Sequence, residues 1–417
     1  MASVRSGQQW TAQQAHYRVA VQRRVLSVLT ATQVVGGIGV GVGVAAGTLV
    51  AKHMSGSDAI GGLAQTSAVL GAALVAVPAA RLAASRGRRA AITFAYGCGL
   101  LGALIATIAV SAGSWPLLLA GLLFFGGGSA ANLAARYSAT DLSRPGHSAR
   151  DLSIVVWATT GGSVAGPLLA GRADDFGGHT GVYLVAALAF LLATGGVFTG
   201  LRPDPLQVAH LGSDRGEIAP ERSMRAAWTV LRQSPSAGIA VAAIVVSHTS
   251  MVALMSMTPV HLDHGGASLD AVGVVISLHI AGMYALSPLV GWLADQFGHV
   301  PVLLLGMILI VCAALVAGTA DEHALVQLSL ALMLLGVGWS CGLVAGSALL
   351  TESVPVDLRP SVQGLSDLLM NGGAALGGLV AGVIVSTLSY AALAGLLILL
   401  ALPMGTALVF ARRVQEA

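Results

Sequence analysis

Twelve apolar runs, each about as long as a helix needs to cross a bilayer, constrain this chain before any single residue does. They fall near 27 to 50, 60 to 80, 91 to 112, 115 to 136, 153 to 172, 181 to 200, 237 to 260, 270 to 292, 300 to 318, 324 to 349, 364 to 386 and 390 to 411. Hydrocarbon holds no water to take up free amide and carbonyl groups, so such runs cross it as helices. Charged residues are only 9% of the chain, against about a quarter in soluble proteins. The expectation is an all-α integral membrane protein of twelve transmembrane helices, with the lipid bilayer as its first partner. Its 54 glycines suit helices whose backbones approach closely, because small residues make up such contacts in lipid.

Orientation follows from the basic residues between the runs. With the amino terminus inside, every one of the 21 Lys and Arg except Lys52 and Arg172 falls on the inner side. Both termini are then cytoplasmic, in a multi-pass protein of the cytoplasmic (inner) membrane. The basic balance is explained by this bias and calls for no nucleic acid. Arg23 and Arg24 precede the first run, but no small-residue cleavage site follows, so that run reads as an uncleaved helix. Cys98, Cys312 and Cys341 stand singly in apolar runs and form no disulfide framework.

The chain repeats itself. GGSVAGPLLAG at 161 to 171 matches GGAALGGLVAG at 372 to 382, and AARLAASRGRR at 79 to 89 matches VGWLADQFGHV at 290 to 300, both at one offset; Thr140 and Asp141 fall on Thr351 and Glu352 at the same offset. Two six-helix bundles follow, at 25 to 200 and 237 to 411. A polar tail at 1 to 24, a charged linker at 201 to 236 and a short tail at 412 to 417 are expected on the cytoplasmic side. The later linker, Arg222 to Ser234, has the pattern of a basic amphipathic helix. The glycines from Gly36 to Gly47 follow no strand and so make no nucleotide loop; Gly37 with Gly41 and Gly43 with Gly47 read as helix contacts.

Chemistry concentrates between His248 and Gly298. Met251 and Met255 share one helix face, and His279 and Met283 share a face of the next run. Methionine is more often packing than ligand. An imidazole inside a span is a functional residue by default, and thioether with imidazole suits a soft ion such as Cu(I). Further metal-ligating candidates are His248 and Met257, with His261 and His264 at the outer end, where a histidine loop is more often simply solvated. Asp367 is the carboxylate placed inside a span, with Asn371 one turn on; it reads equally as a proton carrier and as the partner of a nearby arginine. His279 is the other proton-coupling candidate, since protonation competes with metal at the ring nitrogen.

Gly291, Leu293, Asp295 and Gly298 resemble the GxLaDxxG signature of the major facilitator superfamily, and Gly162, Gly166, Pro167 and Gly171 resemble its fifth-helix GxxxGPxxxG motif. The resemblance implies two six-helix halves with alternating access, a cytoplasmic gate at the Asp295 loop and a rocking surface on the fifth helix. In the first half Ala80 and Ala84 replace the Gly and Asp while Arg86, Arg88 and Arg89 remain, which implies a gate held more strongly by the second copy.

Within that superfamily, MxxxM with Thr258 and Pro259, then HxxxM running into Ser287 and Pro288, is similar to the CcoA-like copper importers. The resemblance implies import of copper as transported substrate, bound by Met251, Met255, His279 and Met283, for cytochrome oxidase assembly, with cytoplasmic copper-handling proteins as partners and no resident cofactor. Relatives in the same branch have been linked to other substrates, a vitamin among them. The competing reading is a proton-coupled multidrug or metabolite exporter. Against it, the first run has no carboxylate and the fourth, from Leu118 to Ala131, has no arginine. No nucleophile and base pair, Walker loop or zinc spacing points to an enzyme.

Overall fold

The computed structural model describes residues 12–211, 224–267 and 269–416. In chain order the helices are α1 (Ala12–Ser55), α2 (Asp58–Arg86), α3 (Arg88–Ser111), α4 (Trp115–Thr140), α5 (Ser148–Gly200), α6 (Pro205–His210) and α7 (Met224–Gln233). They continue as α8 (Pro235–His264), α9 (Leu269–Tyr284), α10 (Ser287–Phe297), α11 (His299–Gly318), α12 (Leu325–Ser353), α13 (Arg359–Thr387) and α14 (Tyr390–Glu416). Among the described residues 11 helices are long and apolar enough to cross a membrane. The twelve predicted runs are nonetheless helical, the eighth with a turn at Ala285 and Leu286 between α9 and α10. The fifth and sixth both fall within α5, which is two helices meeting at a kink at Gly178, where φ is 57° and ψ is −162°. Only glycine adopts that backbone without penalty.

Two hydrophobic cores form. One packs α1 to α5, the other packs α8 to α14 and draws in Tyr137, Leu152 and Val156 of the first half. In lipid, close contact does the work that burial from water does elsewhere. A Cβ on Gly162 would stand 2.6 Å from the Gly37 Cα, and one on Gly166 would stand 2.8 Å from the Gly41 Cα. Gly162 and Gly166 of the fifth-helix motif therefore lay α5 directly on α1, whereas a Cβ on Gly171 would meet nothing within 4 Å, so that position makes no part of this contact.

The ends of the halves differ from the sequence expectation at two places. Helix α1 begins at Ala12, well inside the expected polar tail of 1 to 24, and its first turns are tied down: Arg18 donates to the carbonyls of Leu142 and Ser143 at 3.1 and 2.7 Å. Gln22 donates to the Ala139 carbonyl at 2.6 Å. The linker holds α6, whose N-cap Asp204 accepts from the backbone of Leu206 and Gln207, and α7, which ends against α8. The remaining linker residues 212–223, the tail residues 1–11 and residue 417 lie outside the described residues.

Candidate functional site: where the halves meet

The halves meet through two matched helix crossings, α2 with α13 and α5 with α10. A Cβ on Gly291 would stand against the Ser153 hydroxyl, and a Cβ on Gly364 would stand against the Ala80 methyl. These are the same crossing seen twice: Ala80 and Gly291 are counterparts in the repeat, as are Ser153 and Gly364. Each crossing sets one glycine against one small side chain. Both lie toward the linker end of the bundle, where α13 is buried from Pro360 to Asp367; beyond Leu376 it becomes exposed along much of its length.

Near that end a buried ion pair joins the halves. Arg136 of α4 donates to Asp367 of α13 at 2.6 Å, with side-chain exposures of 1% and 8%. The guanidinium also donates to Ser347 Oγ at 3.0 Å, to Tyr137 Oη at 3.1 Å and to the Leu133 carbonyl at 3.0 Å. A buried charge is tolerable only when its hydrogen-bonding capacity is met in this way. The sequence places Arg136 among the inner-side cations, at the very end of the fourth run and outside the Leu118 to Ala131 stretch in which no arginine occurs. Helix α4 continues to Thr140, past the run's apolar end, so the arginine sits inside the protein. One signal was available: Asp367, a carboxylate in a span, required a cation. Asn371 does not meet that need, since its side chain donates to the Asp367 carbonyl at 2.8 Å.

Around this pair the gate residues take different roles. Asp295 accepts from the backbone amides of Ala149 and Arg150 at 3.0 and 2.9 Å, capping the first turn of α5 across the interface. A carboxylate there satisfies orphan amides and meets the positive end of the helix. The counterpart position is Ala84, which has no acceptor, and the counterpart of Ala149 is Pro360, which has no N–H to offer. Gly298 and its counterpart Gly87 both bend the chain between helices with φ of 92° and 93°. Arg88 binds Asp141 through two hydrogen bonds of 2.7 and 3.0 Å and crosses to Gln363 at 2.6 Å. The same position in the second half is His299, which pairs with Glu352 at 3.0 Å. Arg89 receives the Asp204 carboxylate at its backbone amide and lays its guanidinium 5.6 Å from the Phe198 ring centroid; Arg86 is exposed.

The methionines and histidines occupy the second half. Met251, His279 and Met283 are buried, while Met255 and Met257 are half-buried. Helices α8 and α9 barely touch, because each packs on α12 instead. Gly336 lets α9 approach so closely that its Cβ would meet the His279 carbonyl at 2.5 Å, and Gly342 does the same for Ser247 of α8. His279 Nδ1 lies 2.7 Å from the Leu332 carbonyl. A carbonyl only accepts, so Nδ1 carries the proton and Nε2 keeps its lone pair; Nε2 is buried and, among the described residues, meets no hydrogen-bond partner. His248 is set the other way: its Nδ1 accepts from the Trp339 indole at 2.8 Å. Trp339 in turn stands edge-on to Tyr284, with centroids 5.5 Å apart. His261 faces the Ala320 carbonyl at 3.2 Å and stacks on Tyr390 at 4.2 Å, while His264 is exposed. No group of three or more His, Cys, Asp or Glu that could hold a metal occurs among the described residues.

Two repeated bundles that touch about a twofold axis, with charge buried between them and a polar, aromatic interior in one half, define a membrane transporter. The description Major Facilitator Superfamily matches residues 28–269 and 240–417, and the chain belongs to that family of secondary transporters. The family is one of transporters and not of enzymes. Two relatives from Bacillus subtilis (strain 168), the uncharacterized MFS-type transporters YdeG and YddS, are each 36% identical. The first match spans 92% of this chain and 91% of YdeG; the second spans 94% and 92% of YddS. The riboflavin transporter RfnT of Brucella anthropi is 29% identical over 86% of this chain and 88% of its own length. Among solved structures, the human organic anion transporter MFSD10 superposes with a TM-score of 0.76 at 16% identity, covering 93% of this chain and 99% of that one. At that identity it speaks for the fold alone.

Proposed function

We propose that this chain takes up a small solute at the inner faces of α8, α9 and α12 and releases it at the linker side, which is the cytoplasmic side. Uptake is driven by an ion gradient or by the solute's own gradient. The observation that carries this reading is the placement of the contacts between the halves: they lie at the linker end and enclose the Arg136–Asp367 pair, so the closed end is the one a released solute must pass.

The cargo we propose is copper, held by His279 and Met283 with Met251 and Met255. Support comes from the His279 ring, whose Nδ1–H is anchored on the Leu332 carbonyl so that Nε2 presents a lone pair. Metal-bound histidines are commonly oriented in this manner. Helix α12 stands between the two pairs, so a site drawing on both forms only as α8 and α9 shift along it. His248, whose Nδ1 lone pair is already taken by Trp339, is a poorer ligand in this arrangement.

A second cargo, a planar organic solute, is favoured by a different observation. His248, Trp339 and Tyr284 form an aromatic group beside the interface, and one relative is named a riboflavin transporter. The test is uptake of labelled copper and of labelled riboflavin by cells lacking their own importers, using the intact chain, His279→Gln and Trp339→Leu at equal expression. Copper uptake lost in His279→Gln supports the metal site. Riboflavin uptake lost in Trp339→Leu supports the organic one. Export of either solute would overturn the direction.

A further inference from the structure

A cavity of about 440 Å³ lies between the start of α1, the loop from α4 to α5, and the start of α5. It belongs to neither proposed cargo site. Its rim carries Arg18, Arg23, Arg144 and Arg150, with His147 beside them. Arg18 is occupied by the carbonyls of Leu142 and Ser143. Among the described residues no acceptor engages the guanidinium groups of Arg23, Arg144 or Arg150, and all three residues are exposed. The carboxylate in the wall, Asp151, is taken up internally: its Oδ2 accepts from Gln22 at 2.7 Å and from Ser143 at 2.6 Å.

The inner wall is apolar and includes Val19, Leu26 and Ile154. Leu26 and Ile154 sit where the apolar runs begin, near 27 on α1 and 153 on α5. The guanidiniums therefore stand at headgroup depth, and Leu26 and Ile154 stand at the edge of the hydrocarbon. A bias of basic residues toward one membrane face puts arginines at this end of the bundle. It does not gather three unengaged ones around a recess whose floor is apolar.

We propose that this cavity binds the phosphate headgroup of an anionic phospholipid from the leaflet on the linker side. Arg23, Arg144 and Arg150 clamp the phosphate, and an acyl chain follows Leu26 and Ile154 along the groove between α1 and α5. Guanidinium matches phosphate oxygens in pairs, and basic pockets between spans at this depth are suited to anionic lipid. A free phosphate ion offers the same headgroup chemistry, but it would leave the apolar wall without use.

The test is native mass spectrometry of the purified full chain with phosphatidylglycerol or phosphatidylcholine added in detergent. Phosphatidylglycerol should be retained in preference to phosphatidylcholine. Arg23→Gln with Arg150→Gln should weaken its retention by about 30-fold, the product of two surface arginine contributions. Arg81→Gln with Arg202→Gln, the same change of charge elsewhere, should leave retention unchanged. Arg144→Gln alone serves if the double variant misfolds, and should weaken retention in the same direction. Equal retention by the site variants, equal loss in the control pair, or displacement of the lipid by inorganic phosphate at matched concentration would overturn the proposal.

Discussion

Arg136 on α4 and Ser347 on α12 are counterparts in the internal repeat, 211 residues apart, and they are hydrogen-bonded to each other at 3.0 Å. Counterparts of a twofold repeat touch only beside the axis. Thr140 and Thr351, with the same separation, also touch, at 3.4 Å. The axis therefore runs between α4 and α12, and it has room for one long side chain. Arginine fills that room from the first half, and serine is what the second half can place opposite it.

From this pairing follows the first prediction. Removing one partner of a buried ion pair costs about 3–5 kcal/mol, because the other charge is left uncompensated. Arg136→Met and Asp367→Leu are each expected to lower the thermal stability of the purified protein by that order and to abolish uptake. The combined variant should regain most of the stability and none of the uptake. Thermal unfolding of the three variants checks this, and a combined variant no more stable than the singles would count against it.

The Asp295 cap gives the second. Asp295→Ala removes the acceptor of two amides, and a lost helix cap costs about 0.5–2 kcal/mol. It should raise the labelling of a cysteine placed at Ala149, which is buried in the parent. Ala84→Asp, which restores the missing carboxylate of the first half, should gain only the amide of Ser361, the counterpart of Arg150, because Pro360 has no N–H. Ala84→Asp together with Pro360→Ala should tighten that crossing more than Ala84→Asp alone and slow opening at the linker side.

The small-residue crossings give the third. Gly291→Val and Gly364→Val each drive a side chain into Ser153 or Ala80, so the closed linker end should no longer form. Overpacking of a tight contact costs about 1–3 kcal/mol. Both variants should expose the linker side to a thiol reagent at positions protected in the parent, and neither should unfold.

Within the first half, Gly162→Leu meets the Gly37 backbone and should separate α1 from α5. A loss of thermal stability of about 1–3 kcal/mol is expected. Gly171→Leu, facing open space, should be silent. Unfolding of the two variants side by side distinguishes a motif needed for packing from one needed throughout its length.

Much of the fold was legible because hydrocarbon permits so few backbones: run length gave the spans and the offset gave the halves. Less of the site was. The fifth and sixth runs read correctly as two spans, since two helices meet at the non-helical Gly178; how tightly they join there was not legible. Arg136 was misplaced because an apolar run ends where hydropathy falls, whereas the helix ends where its hydrogen bonds do, and here the two differ by a full turn. Met251, Met255, His279 and Met283 were paired from helical spacing alone. Which neighbour each face meets is a tertiary property, and α12 between them has no local signal. Trp339 and Tyr284 went unremarked because single aromatics in apolar runs are ordinary packing until their partners are known.

Pro360 also makes the two crossings unequal. The crossing of α5 with α10 is latched through two backbone amides, while the crossing of α2 with α13 sets a glycine against a methyl and keeps, at Ser361, only one of the two counterpart amides. The two flanks of the linker end therefore differ in what would loosen them. One rests on a carboxylate bound to main chain, and the other on charged and polar side chains that α3 and α4 extend to α13.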